Sequence, residues 1–150
     1  MTFSIVGYCK RTGMQGVAIT TSSICVGSRC PWVRSGVGAV TSQNVTDPTI
    51  GNEVLDLLAD GISVADAVKR VMDERPHAAY RQVAAVNREG HTAHFTGSNI
   101  LGVNKVTEGQ CCVAAGNLLS VTDIPNVMVK QFEVGGEHHL ADRLLLALEA

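Results

Sequence analysis

The chain has 150 residues, with 12 Lys+Arg against 14 Asp+Glu for a formal net charge of -2, 45% hydrophobic residues and only 17% charged. A chain of this length buries about 68–70% of the surface its unfolded form exposes, which fits one globular domain over residues 1–150. Balanced charge without a Lys/Arg cluster lacks the electrostatic footprint of a nucleic-acid binder, and the longest uncharged stretch, Thr12–Ser28, alternates in polarity and falls short of the ~20 apolar residues that span a bilayer.

In chain order, Phe3–Cys9 and Gly16–Thr21 alternate apolar and small residues around a Lys10-Arg11-Thr12-Gly13 turn, which predicts a β-hairpin. Ile24–Gly27 predicts a third β segment, followed by Pro31-Trp32-Val33 and the small-residue strand Gly36–Gln43, where glycine density signals close backbone approach. The period then changes. Asp47 with Pro48 after it opens a helix whose apolar face is Val54, Leu55, Leu57 and Leu58, ending near Gly61. Ser63-Val64-Ala65-Asp66 has the spacing of a capping box, and apolar residues recur at helical spacing from Val64 to Met72 until Pro76. Gln82–Val86 and Thr92–Thr96 form a second hairpin across Asn87–Gly90. Cys111–Gly116 predicts a strand, and Ile124–Phe132 and Leu140–Leu148 predict helices. Strands, two helices, strands, two helices is the order of an α+β protein with antiparallel sheets.

The cysteines Cys9, Cys25, Cys30, Cys111 and Cys112 form an odd set without a C-x-x-C pair, read as reduced core thiols. His91 and His94 point to opposite faces of a regular strand, which disfavours a shared metal. His138-His139 read as cap residues, and Trp32 as a core or interface anchor. No phosphate loop, His-Glu-x-x-His or Gly-x-Ser-x-Gly motif occurs, so no cofactor and no metal is expected. Met1–Val6 has no basic stretch and no small-residue cleavage site, which makes the cytoplasm the expected location, with no membrane partner.

Several spaced motifs occur together: Thr2-Phe3-Ser4-Ile5-Val6, Gly16-Val17-Ala18, Val26-Gly27-Ser28, Pro31-Trp32, Gly36–Gln43, Tyr80-Arg81-Gln82 and Gly116-Asn117-Leu118-Leu119. In this order they resemble the bacterial domain-of-unknown-function 1028 family, within the N-terminal-nucleophile (Ntn) hydrolase-like superfamily, over essentially the whole chain. The resemblance implies a four-layer αββα sandwich of antiparallel sheets flanked by helices. Chains of that family usually continue beyond the position of Ala150 with a Gly-rich turn and strands, so the sandwich is expected to lack its last strands. The family often carries a basic or bulky residue where this chain has Thr20–Ile24.

The resemblance further implies an amidohydrolase that cleaves a C–N bond of a small-molecule amide or peptide-like substrate through Thr2. A Thr hydroxyl needs a base at neutral pH, and in this arrangement the base is the residue's own α-amine, whose ordinary pKa of about 7.7–8.0 suits the task. Met1 must therefore be removed. Asn117 after Gly116 is a candidate oxyanion donor or else a turn cap. Ser4, on the same strand face as Thr2, relays a proton or bonds within the core. Gln43 and Asn44 bind a substrate amide or hold a loop, and Arg81 clamps a carboxylate or forms an ordinary ion pair. The competing reading is a non-catalytic ligand-binding or assembly module that keeps the fold, and a lesser one makes Cys25 or Cys30 the nucleophile. Exposed sheet edges lead to the expectation of a homodimer.

Overall fold

A computed structural model describes residues 1–150. The first hairpin joins β1 (Thr2–Tyr8) to β2 (Gln15–Thr21) in antiparallel register, Thr2 opposite Thr21 and Tyr8 opposite Gln15. Its turn is closed by the Gly13 amide donating to the Cys9 carbonyl (2.8 Å), with Gly13 at φ 72°, a conformation that glycine adopts without penalty.

The expected strand at Ile24–Gly27 does not form. β2 stops at Thr21, Cys25 takes a left-handed backbone (φ 57°), and residues 26–28 make a 3₁₀ turn. An apolar run needs a partner strand to become one, and this segment has none; Ile24 is 84% exposed.

β3 (Pro31–Arg34) and β4 (Gly38–Asn44) come next, then two helices whose starts follow the sequence signals. At α1 (Thr49–Ala59) the Asp47 carboxylate accepts from the Thr49 amide (3.0 Å) and hydroxyl (2.8 Å). At α2 (Val64–Asp73) the Ser63 hydroxyl accepts from the Asp66 amide (3.1 Å), satisfying one helix-start donor, and itself donates to the Asp66 carboxylate (2.8 Å).

β5 (Arg81–Asn87) and β6 (Thr92–Thr96) form the second hairpin. Lys105–Gly109 adds an edge strand, β7, that its polar composition hid, and it pairs with β8 (Cys112–Asn117). Helices α3 (Ile124–Val134) and α4 (Leu140–Glu149) complete the chain, the His139 Nδ1 accepting from the Ala141 amide (3.2 Å) at the start of α4.

The strands make two four-stranded antiparallel sheets, β2-β1-β8-β7 and β3-β4-β5-β6. Side chains alternate between faces, so each central strand feeds two cores. Val40, Val83 and Ala85 pack under α1 and α2. Ile5, Cys112 and Ala114 pack under α3 and α4. The opposite faces of the same strands supply Val6, Ala39, Ala84, Val86, Val113 and Ala115, which meet between the sheets. The layers thus run helices, sheet, sheet, helices.

Two glycines let bulky rings in. A Cβ on Gly7 would stand 2.6 Å from Phe132 Cζ, and one on Gly51 2.0 Å from Trp32 Cδ1. Phe132, fully buried, lies under the Arg143 guanidinium (3.9 Å to the ring centroid), which also donates to the Phe132 carbonyl and ties α4 to α3. No helix is long and apolar enough to cross a membrane.

Candidate functional site

The space between the sheets changes character along the strands. Following β1 back from Val6 by steps of two gives Ser4 and Thr2. The same stepping leads from Ala39 to Thr41 and Gln43 on β4, from Ala84 to Gln82 on β5, and from Ala115 to Asn117 on β8. The inter-sheet space is therefore apolar at one end and polar at the other, and Thr2 stands at the polar end.

The polar side chains are connected. Ser4 Oγ donates to Gln43 Oε1 (2.8 Å), Gln43 Nε2 donates to Gln82 Oε1 (2.7 Å), and Asn117 Nδ2 donates to the same oxygen (3.3 Å). Gln82 Nε2 donates in turn to the Gly116 carbonyl (3.2 Å). Ser4 and Gln82 are 0% exposed, Gln43 1% and Asn117 2%. Buried amides in such a chain fix each other's orientation, because each lost bond would leave a desolvated group unpaired.

Thr2 sits above this network between two neighbours of its own sheet, Thr21 on β2 and Asn117 on β8, both directly opposite it in register. Thr2 Oγ1 lies 2.8 Å from Thr21 Oγ1, and the latter also accepts from the Ser23 amide (3.2 Å). Direct antiparallel partners hold their Cβ atoms about 4.5–5.5 Å apart, so the Asn117 amide is within side-chain reach of Thr2. One amide hydrogen of Asn117 bonds Gln82, and the second has no protein acceptor. Met1 covers the strand end: its ammonium donates to Ser22 Oγ (3.4 Å) and its carbonyl accepts from the Ser22 amide (3.3 Å).

Beside Thr2 is a small cavity of about 20 Å³, lined among others by Thr21, Arg29, Cys30, Gln43 and Thr46. It has room for one small polar group. Arg29 Nη1 donates to Thr46 Oγ1 (2.6 Å) and approaches Cys30 Sγ (3.8 Å), while its Nη2 donates to the Ile24 carbonyl (3.4 Å).

The structure thus brings together Thr2, Ser4, Gln43 and Asn117 from the residues singled out in the sequence. Asn44 lines the same cavity but spends its amide on the backbone, donating to the Tyr80 carbonyl (2.8 Å) and accepting from the Leu101 amide (3.2 Å). Its left-handed backbone (φ 74°) is one that Asn tolerates. Arg81 is 8% exposed and outside the cavity lining; it donates to the Val45 carbonyl through Nη1, and its buried Nε has no partner.

Elsewhere, His94 faces Glu108 (3.6 Å) and His91 faces Glu89 (3.3 Å), and no three His, Cys, Asp or Glu side chains converge. Cys25 is exposed and the other four thiols are buried. Burial, with Glu133 adding to it, pushes the Cys112 thiol up to about 12.

A family model described as a family of unknown function (DUF1028) matches residues 2–150. The chain belongs to the DUF1028 family. The crystal structure of protein SPO2555 from Silicibacter pomeroyi, a DUF1028 protein, matches with a TM-score of 0.93 at 34% identity, over 99% of this chain and 66% of that one. This DUF1028 chain thus spans 66% of the length of that relative. No curated protein matches it.

Sequence reasoning on this DUF1028 chain missed Thr21, Gln82, Arg29 and Thr46. Gln82 carried a signal, since it follows Gln43 in falling on the inward period of its strand beside small residues. Thr21 becomes visible only once the hairpin register is known. Arg29 and Thr46 come from loops, and only the fold brings them together.

Proposed function

We propose that this protein is an amidohydrolase that cleaves a C–N bond of a small-molecule amide or peptide-like substrate through an acyl-Thr2 intermediate, once Met1 has been removed. The observation that carries this reading is the placement of the Thr2 hydroxyl at the open, polar end of the inter-sheet space, 2.8 Å from Thr21 Oγ1 and directly across from Asn117.

With Met1 gone, the Thr2 nitrogen becomes a primary amine on the same residue as the nucleophile. Thr2 Oγ1 attacks the substrate carbonyl carbon and its proton passes to the α-amine, which then protonates the leaving nitrogen as the C–N bond breaks. Water, activated by the same amine, hydrolyses the resulting ester and restores Thr2. The free Asn117 amide hydrogen faces the oxyanion, a contribution of about 2.7–4 kcal/mol in comparable sites. Thr21 orients the nucleophile, and Ser4, Gln43 and Gln82 hold Asn117 in place through the buried network.

The test is acylation of the Met1-free protein by p-nitrophenyl acetate, followed by intact mass and peptide mapping. One acetyl group on Thr2 is expected, with the rate rising as pH passes the amine's ordinary range near 8. Thr2→Ala should remove both the adduct and turnover, a loss of at least about 10³-fold. Unchanged turnover in that variant would overturn the proposal.

A further inference from the structure

We infer that the Thr2 site takes substrates bearing a carboxylate, and that Arg29 is the group that binds it. This inference rests on the reading of Thr2 as the nucleophile, but its geometry stands separately. Arg29 is half-buried and contributes the only charged side chain to the cavity beside Thr2; the rest of the lining is hydroxyl, amide, thiol and one aliphatic residue.

No carboxylate of the protein lies within ion-pair distance of its guanidinium. The nearest acidic position along the adjoining loop, Asp47, is held by Arg75 (3.3 Å) and the start of α1. Arg29's partners are all neutral: the Thr46 hydroxyl, the Ile24 carbonyl and the Cys30 sulfur.

Those contacts use part of a donor set of five N–H groups, leaving the fork able to accept a planar anion. A guanidinium drawn partly out of water without a counter-charge is the arrangement in which an incoming carboxylate gains most, because it supplies both the missing charge and two parallel acceptors. The loop that carries Arg29 is set by structure rather than by strand pairing, through the left-handed Cys25 and the 3₁₀ turn over residues 26–28. Arg29 thus brings a cation beside the β2 end, where Thr20–Ile24 are all neutral.

Propionate and propionamide, which differ in charge but hardly in size, distinguish the carboxylate from the amide. Each is titrated at constant ionic strength against acetylation of Thr2 by p-nitrophenyl acetate in the Met1-free protein, in wild type, Arg29→Gln and Arg29→Lys. Propionate is expected to inhibit at concentrations roughly 10- to 100-fold lower than propionamide in wild type. That ratio should fall to near one in Arg29→Gln and be partly kept in Arg29→Lys.

Equal inhibition in wild type, or undiminished selectivity in Arg29→Gln, overturns the inference while leaving the nucleophile in place. If Thr2 is not acetylated at all, the nucleophile reading is what fails, and calorimetric titration of the same pair decides the Arg29 site. Propionate-selective binding lost in Arg29→Gln upholds it, and its absence in wild type overturns it. Thermal unfolding of both variants checks the fold, and the wild-type ratio decides by itself if Arg29→Gln does not fold.

Discussion

The two ends of the inter-sheet space are built from the same strands and the same faces, yet they hold the sheets together by different physics. At one end Val6, Ala39, Ala84, Val86, Val113 and Ala115 interlock as small apolar side chains, all fully buried. At the other, two or four residues further along the same strand faces, Ser4, Gln43, Gln82 and Asn117 are just as buried but meet through hydrogen bonds. Apolar contact is tolerant of orientation and stabilises in proportion to buried area. A buried amide chain stabilises little net, but it specifies where each donor points. A fold that needed only stability would repeat the first arrangement along the whole strand; the second fixes where each polar group points, as the proposed reaction at Thr2 requires.

The contrast can be broken from either end. The largest effect is expected from Asn117→Ala, which removes the proposed oxyanion donor but leaves β8 in register: kcat for an amide or ester substrate should fall about 10²–10³-fold with KM little changed. Steady-state kinetics on Met1-free protein checks this. Gln82→Leu keeps the volume while removing the acceptor of the Gln43 and Asn117 amides and the donor to the Gly116 carbonyl. Unfolding in urea should show a loss of about 2–3 kcal/mol, accompanied by a fall in acylation rate. Ala84→Leu, two residues away on the same face, overpacks the apolar end and should cost about 1–3 kcal/mol. Its acylation rate should stay close to wild type, which is the sharpest form of the contrast.

The smallest effect is at the rim of the polar end. Burial alone would raise the Asp47 carboxyl, but hydrogen bonds from Thr49 and the nearby Arg75 and Arg81 guanidiniums hold it below the ordinary carboxylate range. A depressed folded-state value means stability that is present above the unfolded value near 3.9 and lost as pH falls through the folded one. Asp47→Asn should therefore be less stable than wild type at pH 7, by about 1 kcal/mol. That gap should narrow on acidification below pH 4 in urea titrations.

Much of this architecture is legible in the sequence where one local rule suffices. Ser63 announces a helix N-cap and forms one on the Asp66 amide, and the Lys10–Gly13 turn closes the first hairpin. Reading fails where a strand depends on what lies beside it. Lys105–Gly109 looks too polar for a strand but gains one from β8, whereas Ile24–Gly27 looks apolar enough and lacks a neighbour. The site divides the same way. Thr2 stands out through the family resemblance, Ser4 through sharing its strand face, and Gln43 and Asn117 through following glycine-rich strand segments, whereas Thr21 and Arg29 join them through register and loop path, which no local pattern encodes.

The contact between Trp32 and Gly51 makes two positions on different elements share one volume. A methyl at position 51 would occupy space the indole already fills, so drift at either site is constrained by the other, and the pair can change only in compensating steps. Among DUF1028 proteins, a side chain larger than hydrogen at the first position of this pair of elements to vary, the α1 glycine, should therefore travel with a smaller residue on β3. The contact between the outer helical layer and β3 thus carries a coupled size rule that reports on fold membership independently of the residues proposed for catalysis.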